Sequence, residues 1–259
     1  MGELHEAKLL HENPLNVNGK SLKENIKNHK SKDQNVIKKV SNPIMENAGF
    51  MVLSGNLFDS ALMKTSVISE DFRKRFLSNP GEKNILKAKA VVFEGPEDYH
   101  SRLNDSDLKI DEKTILFIRG VGCVGYPGSA EVVNMQPPDY LLKKGISHLP
   151  TVGDGRQSGT SESPSILNAS PESVIGGGLA YLETGDPVIL DLNKGTLNAD
   201  VNKSEWNQRI EKWIEPEIEN HTPWQEIYRN NVGQLADGGC LELATAYKRI
   251  VKHLPRDNH

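Results

Sequence analysis

Nine consecutive residues, Gly153-Asp154-Gly155-Arg156-Gln157-Ser158-Gly159-Thr160-Ser161, carry three glycines, three hydroxyls, a cation and a carboxylate directly after a strand-like run. Glycine lets a backbone come close to a ligand, so such a loop can aim N–H groups and hydroxyls at an anion. The plainer reading is a polar turn whose Ser and Thr residues cap a helix beginning near Pro164, and composition alone favours it. No Gly-Lys-Ser/Thr follows at the spacing of a nucleotide-binding P-loop. Ser158 is not in Gly-x-Ser-x-Gly either, because position 160 is Thr, so a catalytic Ser158 needs activation by something other than a standard triad.

A second segment, RGVGCVGYPGSAE from Arg119 to Glu131, contains a literal Gly-x-Gly-x-x-Gly (Gly120, Gly122, Gly125) after an apolar run, which raises a dinucleotide site. Pro127-Gly128 breaks the helix whose N-terminus would hold a pyrophosphate. No acidic residue closes a following strand about 20 positions on, and both features argue against that site. Glu131, after the glycine-rich turn, could point a hard oxygen ligand at Mg²⁺; a single Glu is more often solvated or an N-terminal helix charge. The His residues at 5, 11, 29, 100, 148, 221, 253 and 259 form no zinc-binding pair on one helix, and His259, the last residue, reads by itself as part of a tail. Two cysteines, Cys123 and Cys240, are too few for a disulfide framework or a cysteine-ligated cluster within this chain.

These loops need a scaffold. The patterning predicts strands at Phe50–Ser54, Ala88–Phe93, Thr114–Ile118 and Ser147–Val152, with short helices at Pro96–Leu103 and Asp139–Lys144. After Gly176-Gly177-Gly178, the runs Leu179–Glu183, Pro187–Leu192 and Thr196–Val201 are separated by turn signals and predict a β-meander. Ser204 reads as the N-cap of an amphipathic helix bearing Trp206, Ile210, Trp213 and Ile214, ending at Pro216. A last helix carries Leu243, Tyr247, Ile250 and Val251. Residues 1–42 hold eight Lys and five Asp/Glu but few large apolar side chains, so they read as a linker or the detached edge of something larger, with one short helix over Gly19–Lys27 capped by Ser21. The domain proper is expected at 43–259: a mixed α/β domain with a barrel-like or sandwich β-component and helical C-terminal packing.

The 259 residues, with 36% hydrophobic content and 22 Gly, suffice for a sizeable core. No run approaches the roughly 18 apolar residues of a membrane span. The net charge of −4 and the lack of a basic, aromatic-interleaved stripe argue against nucleic acid as a partner. The N-terminus shows no basic region followed by an apolar one, so the expected compartment is the cytoplasm.

The two loops together resemble the dihydroxy-acid and sugar-acid dehydratase family, in its C-terminal domain. The resemblance rests on RGVGCVGYPGSAEVVNMQPP (119–138), GDGRQSGTSESPSILNASPE (153–172) and the following GGGLAYLETGDPVILDL. FMVLSGNLFDSALMKTS (50–66), KAVVFEGPEDYHSRL (89–103) and TPWQEIYRNNVGQLADGGCLELATAYKRI (222–250) extend it over nearly the whole chain, and residues 4–27 look like the end of the family's N-terminal domain. GDGRQSGTS and a C-terminal Asn-His place it nearer the sugar-acid branch, the arabinonate and xylonate dehydratases.

That resemblance implies a swivelling β-barrel-like α/β domain flanked by helices. It also implies a hydro-lyase that removes water from a 2,3-dihydroxy sugar acid to give a 2-keto-3-deoxy acid, using Mg²⁺ and an iron–sulfur cluster. By the same resemblance Ser158 is the base, as an alkoxide stabilised by nearby cations, and Thr160 the assisting hydroxyl. Glu131 is a Mg²⁺ ligand, and His259 a tail residue that reaches the substrate. The family's cluster cysteines and its other Mg²⁺ ligands belong to an N-terminal domain with no counterpart in these residues. Cys123 stands where the family usually has Pro and Cys240 where a small apolar residue is usual, so neither carries over as a cluster ligand; Glu162 replaces the usual glycine two residues after Thr160. A homo-oligomer, or pairing with an N-terminal dehydratase half, is the expected assembly. The alternative is a catalytically incomplete fragment acting as a non-enzymatic binding or oligomerisation module.

Overall fold

The computed structural model describes residues 1–246 apart from Asn47, 129–130, 132–133 and 158–161. Two compact units divide the chain, Met1–Ala48 and Gly49–His259. The first carries helices α1 (Gly2–Glu6) and α2 (Leu22–Ile26). Ser21 caps α2 as the sequence predicts, in a reciprocal box: the Glu24 N–H donates to the Ser21 hydroxyl, and the Ser21 N–H donates to the Glu24 carboxylate at 2.8 Å. Among its described residues Ile26 is the one buried apolar side chain, while Leu15, Val17 and Ile44 are exposed.

In the second unit, β1 (Phe50–Gly55) and β2 (Phe58–Lys64) form a hairpin, followed by α3 (Glu70–Phe76), β3 (Ile85–Phe93), α4 (Pro96–Arg102), β4 (Thr114–Ile118), α5 (Asp139–Leu142), β5 (Thr151–Gly153) and β6 (Ser165–Ser170). The hairpin of β7 (Pro187–Asp191) and β8 (Thr196–Ala199) precedes α6 (Lys203–Lys212), α7 (Pro223–Arg229) and α8 (Glu242–Ala246). The strands close into a barrel in the order β1-β2-β6-β5-β4-β3-β7-β8. The pairs β3–β4, β4–β5 and β5–β6 are parallel; β1–β2, β2–β6, β3–β7 and β7–β8 are antiparallel. The barrel shuts where β1 meets β8 at a single parallel pair, Ser54 with Thr196.

Alternation along the strands sorts two cores. Ala90, Ile115, Phe117, Val152, Ile166 and Leu190 fill the barrel with Leu53, Met63 and Leu197. Val91, Phe93, Leu116 and Ile118 point outward under a layer containing Tyr99 of α4, Leu141 of α5 and Leu149. β4 is therefore buried on both faces, which is why Thr114–Ile118 reads as an unbroken apolar run rather than an alternating one. No helix among the described residues is long and apolar enough to cross a membrane.

Several expectations are corrected. No helix starts near Pro164: the segment is β6, held between β5 and β2, because sheet pairing on both sides outweighs what so short a run prefers locally. Leu179–Glu183 is not a strand; a 3₁₀ turn occupies Gly178–Tyr181, so the meander reduces to the β7–β8 hairpin. Asn202 rather than Ser204 caps α6, its side chain accepting the Ser204 N–H at 2.8 Å. β2 and α7 lie outside the predicted elements, although Thr222 before Pro223 is a helix-start signature. Gly55 is required by close approach, since a Cβ there would sit 2.0 Å from the Leu197 carbonyl oxygen.

Leu190 is fully buried inside the barrel, so Leu190→Ala should lower the unfolding free energy by about 2–5 kcal/mol in urea titration. A loss well under 1 kcal/mol would mean that the barrel interior is not packed as described.

Candidate active site

Phe93, Ile118 and Gly153 lie in register at the C-terminal ends of β3, β4 and β5. Parallel strands present loops at that end, where open α/β sheets place their ligands. Both glycine-bearing loops of the sequence start there: Arg119 onward follows β4, and Asp154 onward follows β5.

Two buried carboxylates shape the first loop. Asp154, with no exposed surface, accepts from the N–H groups of Gly120 (3.0 Å), Val121 (3.0 Å) and Ser173 (2.9 Å) and from the Ser173 hydroxyl (2.6 Å). Glu172 accepts from the N–H groups of Val124 (3.0 Å) and Gly125 (2.8 Å) and from Gln234 Nε2 (2.8 Å), while its own N–H donates to Gln234 Oε1 (2.8 Å). The Gly-x-Gly-x-x-Gly amides at 120, 121, 124 and 125 are thus already taken by the protein's own anions, the physical counterpart of the argument against a dinucleotide. The close fit demands glycine: a Cβ on Gly122 would meet Glu172 Oε2 at 2.5 Å, and one on Gly155 would meet the Val121 carbonyl oxygen at 2.2 Å.

The loops after β4 and β5 are brought together, because Glu131 and Arg156 form an isolated parallel bridge, and both are exposed. Ser158, Thr160 and His259 lie outside the described residues. Gln157, next to Ser158 in sequence, is only 8% exposed and its Nε2 has no hydrogen-bond partner. It packs on Gly153, where a Cβ would lie 2.3 Å from that nitrogen. Glu162 directs its carboxylate toward His148 Nδ1 at 3.8 Å, and its carbonyl accepts the Ser69 N–H at 2.8 Å.

Residues not singled out in the sequence also build this end. Arg119 pairs with Glu94 through Nε at 2.9 Å and donates through Nη1 to the carbonyls of Leu179 (2.7 Å), Ala180 (3.1 Å) and Leu182 (3.0 Å), tying the loops after β3 and β4 to the 3₁₀ turn. From α7, Arg229 Nε donates to the Val124 carbonyl at 2.8 Å. These partners are tens of residues apart, so no local pattern reveals them; a Glu or Gln within an otherwise small-residue turn is the only trace.

As a test of metal binding, the described residues hold no group of three or more His, Cys, Asp or Glu placed around one point. Glu131, an exposed hard-oxygen donor at the ligand end of the strands, fits one contribution to a shared Mg²⁺ site. The cysteines do not fit a cluster: Cys123 is buried and Cys240 exposed, too few thiols for a cluster even together.

Residues 35–240 match the family model described as dihydroxy-acid/6-phosphogluconate dehydratase C-terminal, and the chain belongs to that family. It is 55% identical over 257 residues to D-xylonate dehydratase of Caulobacter vibrioides, covering 99% of this chain and 43% of that protein. It is 36% identical over 211 residues to L-arabinonate dehydratase of Rhizobium leguminosarum bv. trifolii, covering 81% and 34%. With dihydroxy-acid dehydratase of Acetivibrio thermocellus it shares 30% over 244 residues, covering 93% and 41%. The chain spans less than half the length of these relatives.

Burial holds the Glu172 carboxyl above its ordinary range and the Asp154 charge adds to that, outweighing the opposing hydrogen bonds from Gly125, Val124 and Gln234. Ionising Glu172 is thus harder in the folded protein than in the unfolded chain. Its contribution to stability is complete below the ordinary carboxyl range and is lost as pH rises through the raised value. The stability of the wild type relative to Glu172→Gln should therefore fall as pH rises above the ordinary carboxyl value of about 4 in thermal melts; a relative rise would reverse the assignment. Gln157→Met removes an unpaired buried amide at similar volume and should raise stability by about 1 kcal/mol, or about 2–4 °C in Tm. A lowered Tm would mean that the amide nitrogen is paired in solution.

Proposed function

We propose that this chain is the C-terminal part of a cytoplasmic sugar-acid dehydratase, a hydro-lyase converting a 2,3-dihydroxy sugar acid to a 2-keto-3-deoxy acid. The observation that carries this reading is the 55% identity to D-xylonate dehydratase along 99% of the chain, which includes both motif loops at the C-terminal ends of parallel strands. Similarity to L-arabinonate dehydratase supports the sugar-acid class. The swivelling type of barrel domain, the homo-oligomer and the pairing with an N-terminal half belong to the same proposal, as does residues 1–42 being the remainder of that half.

In this reading Ser158 takes the C2 proton of the substrate on its Oγ, and the 3-hydroxyl departs as hydroxide that takes up one proton, in net the one removed from C2, to become water. The resulting enol then loses its O–H proton and gains one at C3 as it becomes the ketone. Thr160 is the hydroxyl that assists the serine in this reading. Serine is far too weak an acid to ionise unaided, so its alkoxide requires concentrated positive charge nearby. Glu131 would hold part of a Mg²⁺ that supplies such charge when bound, and any cluster adding to it would need ligands other than the two cysteines of these residues. Arg156, bridged to Glu131, keeps the two loops in step. His259 binds the substrate from the chain end.

The test combines the purified chain with the N-terminal part of a xylonate-dehydratase relative under anaerobic iron–sulfur reconstitution with Mg²⁺. D-xylonate and L-arabinonate are offered, and 2-keto-3-deoxy acid is measured. Turnover is expected from the pair and not from the chain alone. Ser158→Ala should remove at least about 10³-fold of the activity and stop exchange of the C2 proton with solvent, with metal content unchanged. Failure of the pair on every aldonic acid would leave the chain as a non-enzymatic binding or oligomerisation module.

A further inference from the structure

The C-terminal segment is joined to the glycine-rich loop through one buried side chain that none of the motif readings uses. Glu172, 2% exposed, sits just after β6 and faces two elements at once. Toward the loop, its carboxylate takes the Val124 and Gly125 amides. Toward the C-terminal segment, it forms a two-way pair with the Gln234 carboxamide, Nε2 donating to Glu172 Oε1 and Oε1 accepting the Glu172 N–H, each at 2.8 Å. Around this pair the segment makes further polar contacts, Arg229 Nε to the Val124 carbonyl (2.8 Å) and the Ala236 N–H to the Ser170 hydroxyl (3.2 Å).

Directional bonds carry much of that docking: α7 has no buried residue and Trp224 and Ile227 on it are exposed, while Val232 just after it is buried. Docking has a visible consequence: the Gly238-Gly239-Cys240 turn lies over Cys123, whose sulfur is 3.2 Å from where a Gly239 Cβ would be and which is 1% exposed.

We infer that Glu172 is a positioning residue, fixing the register of the C-terminal segment on the loop that leads to Glu131. Its carboxylate has acceptor positions for both neighbours, whereas a neutral amide keeps one oxygen and cannot accept from Gly125 at the Oε2 position and from Gln234 at the Oε1 position together. Glu172→Gln should therefore break the simultaneous hold on both and loosen the segment on the loop. A reciprocal exchange, Glu172→Gln with Gln234→Glu, restores a carboxylate–amide pair and should seat the segment again. The role of this register in turnover rests on the dehydratase reading above; the docking itself does not.

The experiment is alkylation of Cys123 in the full native chain with iodoacetamide, followed by peptide mass. In the wild type Cys123 should react slowly and Cys240 quickly. Glu172→Ala and Glu172→Gln should each speed Cys123 at least tenfold, and the reciprocal exchange should bring it back to within about threefold of wild type. Leu190→Ala, a barrel-core variant, should lower the melting temperature without this acceleration, separating docking from general destabilisation. Wild-type rates in Glu172→Ala, or rates that follow melting temperature alike in all variants, would overturn the assignment. In the assembled enzyme Glu172→Gln should lower kcat more than it raises KM, and the exchange should recover kcat. Faster alkylation with unchanged kcat would overturn the register's role in turnover, whereas a wild type without turnover counts against the dehydratase reading and leaves alkylation to decide the docking.

Discussion

Backbone amides buried without partners are among the costlier defects a fold can carry, and a glycine-rich loop running into a barrel end collects many of them. Here Asp154 and Glu172 supply the acceptors from inside the protein, one from the end of β5 and one from just beyond β6. That arrangement fixes the path of the loop after β4, decides which positions must be glycine, and sets where the C-terminal segment can attach. Two anions facing the same loop repel each other, which is part of why Glu172 is hard to ionise. The packing of hydrogen-bond donors about each of them makes the arrangement tolerable.

How much of this was legible depended on whether the cause was local. Thr114–Ile118 was visible because burial on both faces leaves a run of apolar residues with no alternation to confuse. Pro96–Arg102 was visible from its proline at the helix start, and α2 from Ser21 as its cap. β6 was not, because SILNAS has no strong strand preference and becomes a strand only between β5 and β2. The same holds for Gly178–Tyr181, where an apolar stretch expected to pair instead turns and offers its carbonyls to Arg119.

The candidate site divides in the same way. Its loops were found by composition, since glycine, hydroxyls and charges cluster where a backbone must approach a ligand. The roles given to Ser158, Thr160, Glu131 and His259 came from resemblance, because one Glu or one Ser carries no signature of its own. The juxtaposition of Glu131 with Arg156 is a product of the fold, as are Glu172 facing Gln234 and Arg119 reaching across to the 3₁₀ turn. Each joins segments that only the order of strands brings side by side.

The barrel's closure is lopsided. β3 and β4 pair along the whole of β4, but β1 and β8 share one backbone pair, Ser54 with Thr196, and the Asn56 side chain after β1 fastens the seam by accepting the Ala199 N–H and donating to the Ala199 carbonyl, each at 2.8 Å. Such a joint leans on one side chain, so β1 can part from β8 with fewer backbone bonds lost than β3 from β4. The loops that gather the chemistry hang from those parallel strands, on the firm side of the ring. A cylinder with one soft seam can flex in shape without disturbing the rim on which its functional groups stand.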